Sequence, residues 1–337
     1  MGSHRRLASS GFDRGAGAAL CVMSAAATAL GVAPATATPH DDTRTKVDRL
    51  YEEAEKATEA YNKADERADK LRDQVGRAQD RIARQQDSIN SMRDALGLLA
   101  GAQYRSGGID PSLALLLSDD PADYLDKAAR IARISAHQAG ELQDLQDAMR
   151  VLAQERAEAA KKLLELDRSR KAVATHKRTV ERKLAQARRL LNTLTASDRA
   201  AYDRASRSGR DLMPDFGGAL PPSGRAAAAL AAAHSAVGKP YIWGANGPSG
   251  FDCSGLIQWS YAQAGVAMPR TSQGQRYAGR QVPLSEAQPG DVVTYRSDAS
   301  HVGMYVGNGQ VVHAPYPGAP VRYDPVGMMP GATVTRV

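Results

Sequence analysis

Cysteine is scarce in this chain. Cys21 and Cys253 are its two cysteines among 337 residues, too few for a framework of several disulfides. Long uncharged runs are equally rare: the one that stands out, Gly15 to Ala33, lies near the start. A strong charge of one sign is lacking too, because 44 basic residues face 37 acidic ones for a net +7. A field that weak gives no reason to expect a nucleic-acid partner; a mildly basic surface suits an anionic envelope or mere solubility. The uncharged run follows Arg5, Arg6 and Arg14 and is followed by the small residues Ala35-Thr36-Ala37. This pattern predicts a signal peptide over 1–37 and a secreted protein of the cell wall or a periplasmic-equivalent space. The other reading is an uncleaved anchor, since about 19 residues are enough to span a bilayer. Cleavage removes Cys21, lowers the net charge to about +5, and leaves Cys253 as a lone thiol. In an oxidising compartment such a thiol is either reactive or incidental.

Helical periodicity dominates the middle. From Val47 apolar residues step by alternating three and four through Leu50, Ala54, Ala57, Tyr61 and onward to Leu99, broken by Gln85. A second series runs from Leu142 to Leu194, broken by Arg156, Arg170 and Lys177. Two matching seams of about 53 residues, some 80 Å each, predict an antiparallel coiled-coil hairpin over 41–205. Gly107-Gly108 ends the first arm, and Asp120-Pro121 reads as N-cap and first residue of the second. Between them Ile109, Leu113, Leu115, Leu116 and Leu117 make an apolar knot at the tip, either a local mini-core or a docking surface. The three cationic interruptions are expected in the seam, where they weaken the second arm.

Residues 206–224 have the Gly, Pro and Ser density of a linker. A separate domain is expected over 225–337. Asp252 can cap a helix carrying Leu256, Ile257, Tyr261 and Ala264 and ended by Gly265, which places Cys253 in its first turn. A helix start stabilises a thiolate, so a lowered thiol pKa is expected. Downstream, the stretch "SHVGMYVGNGQVVHAP" reads as a β-hairpin around Gly307-Asn308-Gly309. A three-residue loop pairs Gly303 with His313 and puts His301, Gly303, Tyr305 and His313 on one face. Val302, Met304, Val306, Val312 and Ala314 then collect on the other. A thiol at a helix start, an imidazole to take its proton and a second ring to orient the first are the parts of a cysteine hydrolase. The rival chemistry is zinc held by Cys253, His301 and His313.

At these residues the sequence resembles the NlpC/P60 family of cell-wall peptidases. The resemblance rests on "GKPYIWGANGPSGFDCSGLIQWSYAQAGVAMPRTSQGQ", "QPGDVVTY" and "HVGMYVGNGQVVHAP", and covers the last third of the chain. It implies an α+β, papain-like domain that cleaves amide bonds in peptidoglycan stem peptides, between D-glutamate and the diamino acid after it. By position, Cys253 is the nucleophile, His301 the general base and His313 the orienting residue. Tyr241 would stand near the oxyanion, and Asp252 and Ser254 would line the substrate cleft. No metal and no cofactor are implied. Ala245 departs from the pattern, which often has a second glycine there.

The helical region is similar to coiled coils that precede such domains in divisome-linked wall hydrolases, on "YRSGG" and "LLLSDDPADYLDK". That similarity implies a membrane-embedded divisome complex as a partner at the hairpin tip, and a coiled coil that restrains or positions the peptidase. The alternative is a coiled-coil scaffold or activator whose C-terminal domain binds wall and cuts little.

Overall fold

The computed structural model describes residues 39–105, 113, 121–200 and 221–337. The predicted signal segment, most of the apolar tip and residues 206–220 of the predicted linker lie outside the described residues. Residues 39–337 form one compact unit.

Two long helices open it, α1 (Pro39–Arg105) and α2 (Pro121–Thr193). Their pairing is antiparallel. Val47, Ala54 and Ala57 pack with Val180 and Leu184, Ala68 and Leu71 with Leu166, and Ile89 with Ala148 and Leu152. Small alanine knobs let the axes approach closely. The seam on α1 follows the predicted spacing; on α2 Leu152, Ala159, Leu166, Val180, Leu184 and Ala187 of the expected series are buried in it, but alternate positions are held by the residue before the expected one. Arg156, Arg170 and Lys177 are exposed, whereas Glu155 is half-buried, Ser169 is buried and His176 is half-buried. The expected cationic interruptions are therefore not in the seam. A guanidinium or ammonium one residue further along reaches water at no cost in packing, so Arg156 donates to Gln86 Oε1 at 2.9 Å on the outside. Ser169 satisfies its hydroxyl inside, donating to the Ala64 carbonyl at 2.8 Å.

The C-terminal part is α+β, as expected. Helices α3 (Gly224–Ser235), α4 (Cys253–Gln263) and the single turn α5 (Ser272–Gln275) accompany six strands. These are β1 (Arg280–Val282), β2 (Val292–Tyr295), β3 (His301–Gly307), β4 (Gln310–His313), β5 (Arg322–Pro325) and β6 (Thr333–Arg336), all neighbours antiparallel in the order β1-β6-β2-β3-β4-β5. One core joins Ala229 and Ala233 of α3, Leu256, Ile257 and Tyr261 of α4, and Val302, Met304, Val306 and Val312 of the sheet. A second, with Val282, Val293, Tyr295, Val311 and Val334, includes the residues that alternate with these.

The β3–β4 turn corrects one expectation. Asn308 and Gly309, with φ of 48° and 68°, form a two-residue loop, and Gly307 pairs with Gln310. Both residues take the left-handed conformation that such a hairpin needs. A bulge between Tyr305 and Gly307 then absorbs one residue, so Tyr305 faces Val311 and Met304 faces Val312. The register beyond the bulge is the one the three-residue loop predicted.

Candidate active site

Asp252 caps α4: its Oδ1 accepts from the Gly255 amide at 2.6 Å, which sets Cys253 at the first position of the helix. Gly255 has to be glycine, because a Cβ there would stand 2.2 Å from the Ala245 carbonyl oxygen. Asp252 has further partners. Arg270 donates to both its oxygens, at 3.0 and 2.6 Å, and the Gly244 amide donates to Oδ2 at 3.0 Å. Arg270 also donates to Ser254 Oγ at 3.0 Å. The loop entering α4 is thereby tied to the segment before α5.

His301 starts β3 and His313 ends β4, and each is no more than 1% exposed. His301 Nε2 and His313 Nδ1 are 2.8 Å apart, and His313 Nε2 is 2.8 Å from Asp324 Oδ2 on β5. The proton positions follow. His313 is neutral, its pKa pushed down to about 4 by burial. Burial alone would raise the carboxyl pKa of Asp324, but His313 and Arg322 outweigh it and hold the group ionised. A carboxylate only accepts, so His313 donates from Nε2 and accepts at Nδ1 from His301 Nε2–H. His301 Nδ1 is left for another partner. A ring nitrogen of His301, the Cys253 sulfur and a Glu55 oxygen all lie within 4.8 Å of one another.

That glutamate belongs to α1. Glu55, Glu59 and Asn62 share one stripe of the helix, opposite its seam with α2, and each is at most 5% exposed. Glu55 Oε1 pairs with His301 Nδ1, and its Oε2 accepts from Arg296 Nη1 at 2.8 Å. Glu59 Oε1 accepts from Ser254 Oγ at 2.7 Å and from the Cys253 thiol at 3.7 Å, while Oε2 accepts from the Ser272 amide at 2.8 Å. Asn62 donates to Asp252 Oδ2 at 3.1 Å. Around this stripe Tyr51 stacks on Tyr316 at 4.8 Å, Tyr61 meets Trp243 edge-on at 5.2 Å, and Lys56 pairs with Asp298 at 3.1 Å.

The electrostatics follow from this burial. Cys253 is fully buried, and its thiol pKa is pushed well above the ordinary value by burial first and then by Glu59, Glu55 and Asp252. The expected low pKa is therefore not the property of this state: three carboxylates and lost water outweigh the helix start. Glu55 goes the other way. Burial would raise its pKa, but His301 and Arg296 hold it below the usual range. Glu59 is pushed up to about 7 by burial and by Asp252. Both ring nitrogens of His301 donate here, one to His313 and one to Glu55, so a carboxylate occupies the place where a thiolate would pair with the imidazolium.

All six residues singled out in the sequence meet at this place. Tyr241 is buried, and its phenol pKa is raised by burial and by Cys253, Asp252, Glu55 and Glu59. Among the described residues the group of three suited to hold a metal ion is Glu55, Cys253 and His301. Its Glu55–His301 hydrogen bond leaves no room for an ion between those two groups. His313 stands behind His301 rather than beside the sulfur, so the rival zinc set of Cys253, His301 and His313 is not the one assembled. The sequence reading missed Glu55, Glu59, Asn62, Arg296 and Asp324. A spacing of four between Glu55 and Glu59 puts two acids on one helix face, the one signal available for them.

Residues 238–330 match the model of the NlpC/P60 family. A "Probable endopeptidase" of Mycobacterium tuberculosis is 48% identical over 115 residues, 34% of this chain and 29% of its own length. Another of Corynebacterium glutamicum is 43% identical over 118 residues, 35% of this chain and 56% of its own. The chain thus spans under two thirds of these relatives. Among solved structures, the P60 domain of the M. avium subspecies paratuberculosis antigen MAP1204 is 37% identical and matches 33% of this chain and 93% of its own, with a TM-score of 0.31. The NlpC/p60 domain of the peptidoglycan hydrolase SagA is 36% identical over 33% of this chain and 98% of its own, also at 0.31. With a helix-borne Cys253 set against His301 and His313 inside the matched segment, the C-terminal part of this chain belongs to the NlpC/P60 family.

Proposed function

We propose that the protein is a secreted cell-wall hydrolase that cleaves peptidoglycan stem peptides between D-glutamate and the diamino acid, and that α1 holds it closed. Cys253 attacks the amide carbonyl, and His301 Nδ1 takes the thiol proton and returns it to the leaving amine. His313 orients His301, and Asp324 fixes the tautomer of His313. Tyr241 stands near the oxyanion, and Asp252 and Ser254 line the cleft with the Ser272 amide. The observation that carries the reading is the Cys253–His301–His313 constellation at the start of α4.

The closed state differs from a simple steric block. Glu55 satisfies His301 and Glu59 satisfies the thiol, so the nucleophile stays protonated and the base stays occupied. A membrane-embedded divisome complex gripping the hairpin tip would supply the force that withdraws α1. Secretion rests on the signal pattern over 1–37.

The test uses purified peptidoglycan and the full chain carrying Glu55→Ala and Glu59→Ala. Soluble peptides should appear with this variant and vanish when Cys253→Ala is added. Release by both, or by neither, defeats the hydrolase reading and leaves a wall-binding scaffold.

A further inference from the structure

Arg296 follows β2 in an unusual backbone state, with φ of +66° in a residue other than glycine. Its amide donates to the Pro330 carbonyl at 2.8 Å, and its carbonyl accepts from the Ala299 amide at 3.2 Å, so the turn is fixed from both sides. The side chain is 16% exposed and aims at the site. Nη1 donates to Glu55 Oε2 at 2.8 Å and to Ser300 Oγ at 3.1 Å, and Nε lies 3.9 Å from Glu52 Oε1. Both carboxylates come from α1. Among the described residues no carboxylate of the C-terminal part pairs with Arg296. When α1 leaves, a largely buried guanidinium keeps one hydroxyl acceptor and loses every anion it had, a costly state unless another anion arrives.

Its position says which anion. A single carboxyl group, that of Glu55, bridges His301 Nδ1 and Arg296 Nη1. His301 Nδ1 is the atom that hands a proton to the leaving amine, so Arg296 flanks the leaving-group side of the thiol. Glu59 occupies the other side, on Ser254 and the Ser272 amide. We infer that Arg296 is a specificity-determining residue that binds a free carboxylate on the diamino acid released by cleavage, and that Glu55 is an internal mimic of that carboxylate. This inference rests on the hydrolase reading above. The carboxylate has two sources: the side chain of a diamino dicarboxylic acid such as diaminopimelate, or the terminal carboxylate of a stem that ends at the diamino acid. Lysine within a longer stem offers neither.

The experiment uses the full chain with Glu55→Ala and Glu59→Ala, with and without Arg296→Gln or Arg296→Lys. The probes are synthetic stems: a tetrapeptide with diaminopimelate, the same with its side-chain carboxylate amidated, a tetrapeptide with lysine, and a tripeptide ending in lysine. Arg296→Gln should lower kcat/KM by roughly ten- to a hundredfold on probes carrying the recognised carboxylate, mainly through KM, and leave the neutral probes unchanged. Arg296→Lys should recover part of the loss. The diaminopimelate tetrapeptide responding alone assigns the side-chain carboxylate, and the lysine tripeptide responding alone assigns the terminal one. An equal loss on every probe, or no loss on any, overturns the proposal. In the second case Arg296 serves α1 only. Calorimetry of the same peptides with the Cys253→Ala form separates the two readings. Carboxylate-dependent binding lost in Arg296→Gln without cleavage by any variant keeps this inference and defeats the hydrolase, whereas cleavage with no carboxylate preference does the reverse. Absence of both cleavage and binding defeats both.

Discussion

Helix α1 is one continuous element with two different lives. Near its start, Tyr51 to Asn62 is enclosed on two sides: Ala54 and Ala57 pack toward α2, while Glu55, Glu59 and Asn62 are buried against the C-terminal part. Further along, Ala68, Leu71, Val75, Ala78 and Ile89 bury one stripe, and the residues between them are mostly exposed. The apolar stripe makes a helix pair wherever it occurs and carries no information about the site. Polar residues buried on the second face carry that information, because a buried carboxylate is tolerable only where donors are already in place. His301, Arg296, Ser254 and the Ser272 amide are those donors.

The two halves of α1 should therefore fail in different ways. Replacing Glu55 and Glu59 by alanine removes several charge-assisted hydrogen bonds from the closed state. Net of the desolvation each carboxylate sheds, losing one carboxylate with all its bonds is worth roughly tenfold, so wall hydrolysis by the full chain should rise by about a hundredfold. Thermal stability should change less, since the two buried carboxylates leave with their desolvation cost and the donors they held, Arg296 among them, regain water as α1 opens. Leu71→Ala in the distal half reverses the pattern: it should lower stability by about 2 kcal/mol through the cavity left beside Leu166, with a much smaller gain in hydrolysis. Comparable hydrolysis in the two variants would mean that α1 acts through hairpin stability and not through its carboxylates.

A pH series sharpens the same contrast. Glu59 titrates at about 7 when closed, against an ordinary 4.5, so closing takes up a proton between those values. Its contribution to closure is complete below about 4.5 and is lost as pH rises through 7. Glu55 has the opposite sign: its closed-state pKa is held below 4.5, so its contribution is present above 4.5 and lost as pH falls below it. Closure should be tightest near pH 4.5 and should weaken as pH rises from there toward 7. The ratio of native to double-variant hydrolysis, which cancels the pH dependence of the chemistry, should be lowest there, rise as pH increases toward 7 and level off above it. Glu59→Gln should remove that rise. A ratio flat across pH 5 to 9 would separate these carboxyls from the restraint. The smallest expected effect is that of Asn62→Ala, a fewfold gain in hydrolysis, because one neutral donor to Asp252 Oδ2 is lost.

Local chemistry was legible in the sequence, and remote chemistry was not. Asp252 announced a helix start because capping acts over three residues, and Val302, Met304, Val306 and Val312 announced the sheet face because alternation is local. The register at His313 was right although the loop length was not, since the bulge at Val306 compensates for the shorter turn. On α2 the apolar members Leu152, Ala159, Leu166, Val180, Leu184 and Ala187 fall in the seam as expected, and only the places assigned to Arg156, Arg170 and Lys177 are off by one residue, held instead by Glu155, Ser169 and His176. Glu55 and Glu59 read as an ordinary solvated face of a charged helix. Their donors lie 194 to 246 residues away in the chain, a distance over which periodicity says nothing. The thiol was misjudged for the same reason, since burial by α1 reverses the influence of the helix start.

The most direct test of closure by α1 is the rate at which iodoacetamide alkylates Cys253, followed by mass spectrometry in the native full chain and in the Glu55→Ala, Glu59→Ala chain at pH 7. A thiol buried against two carboxylates should react more slowly than free cysteine in the native chain. In the variant, open to solvent and paired with His301, it should react at least tenfold faster than in the native chain. Equal rates in the two chains would contradict the account.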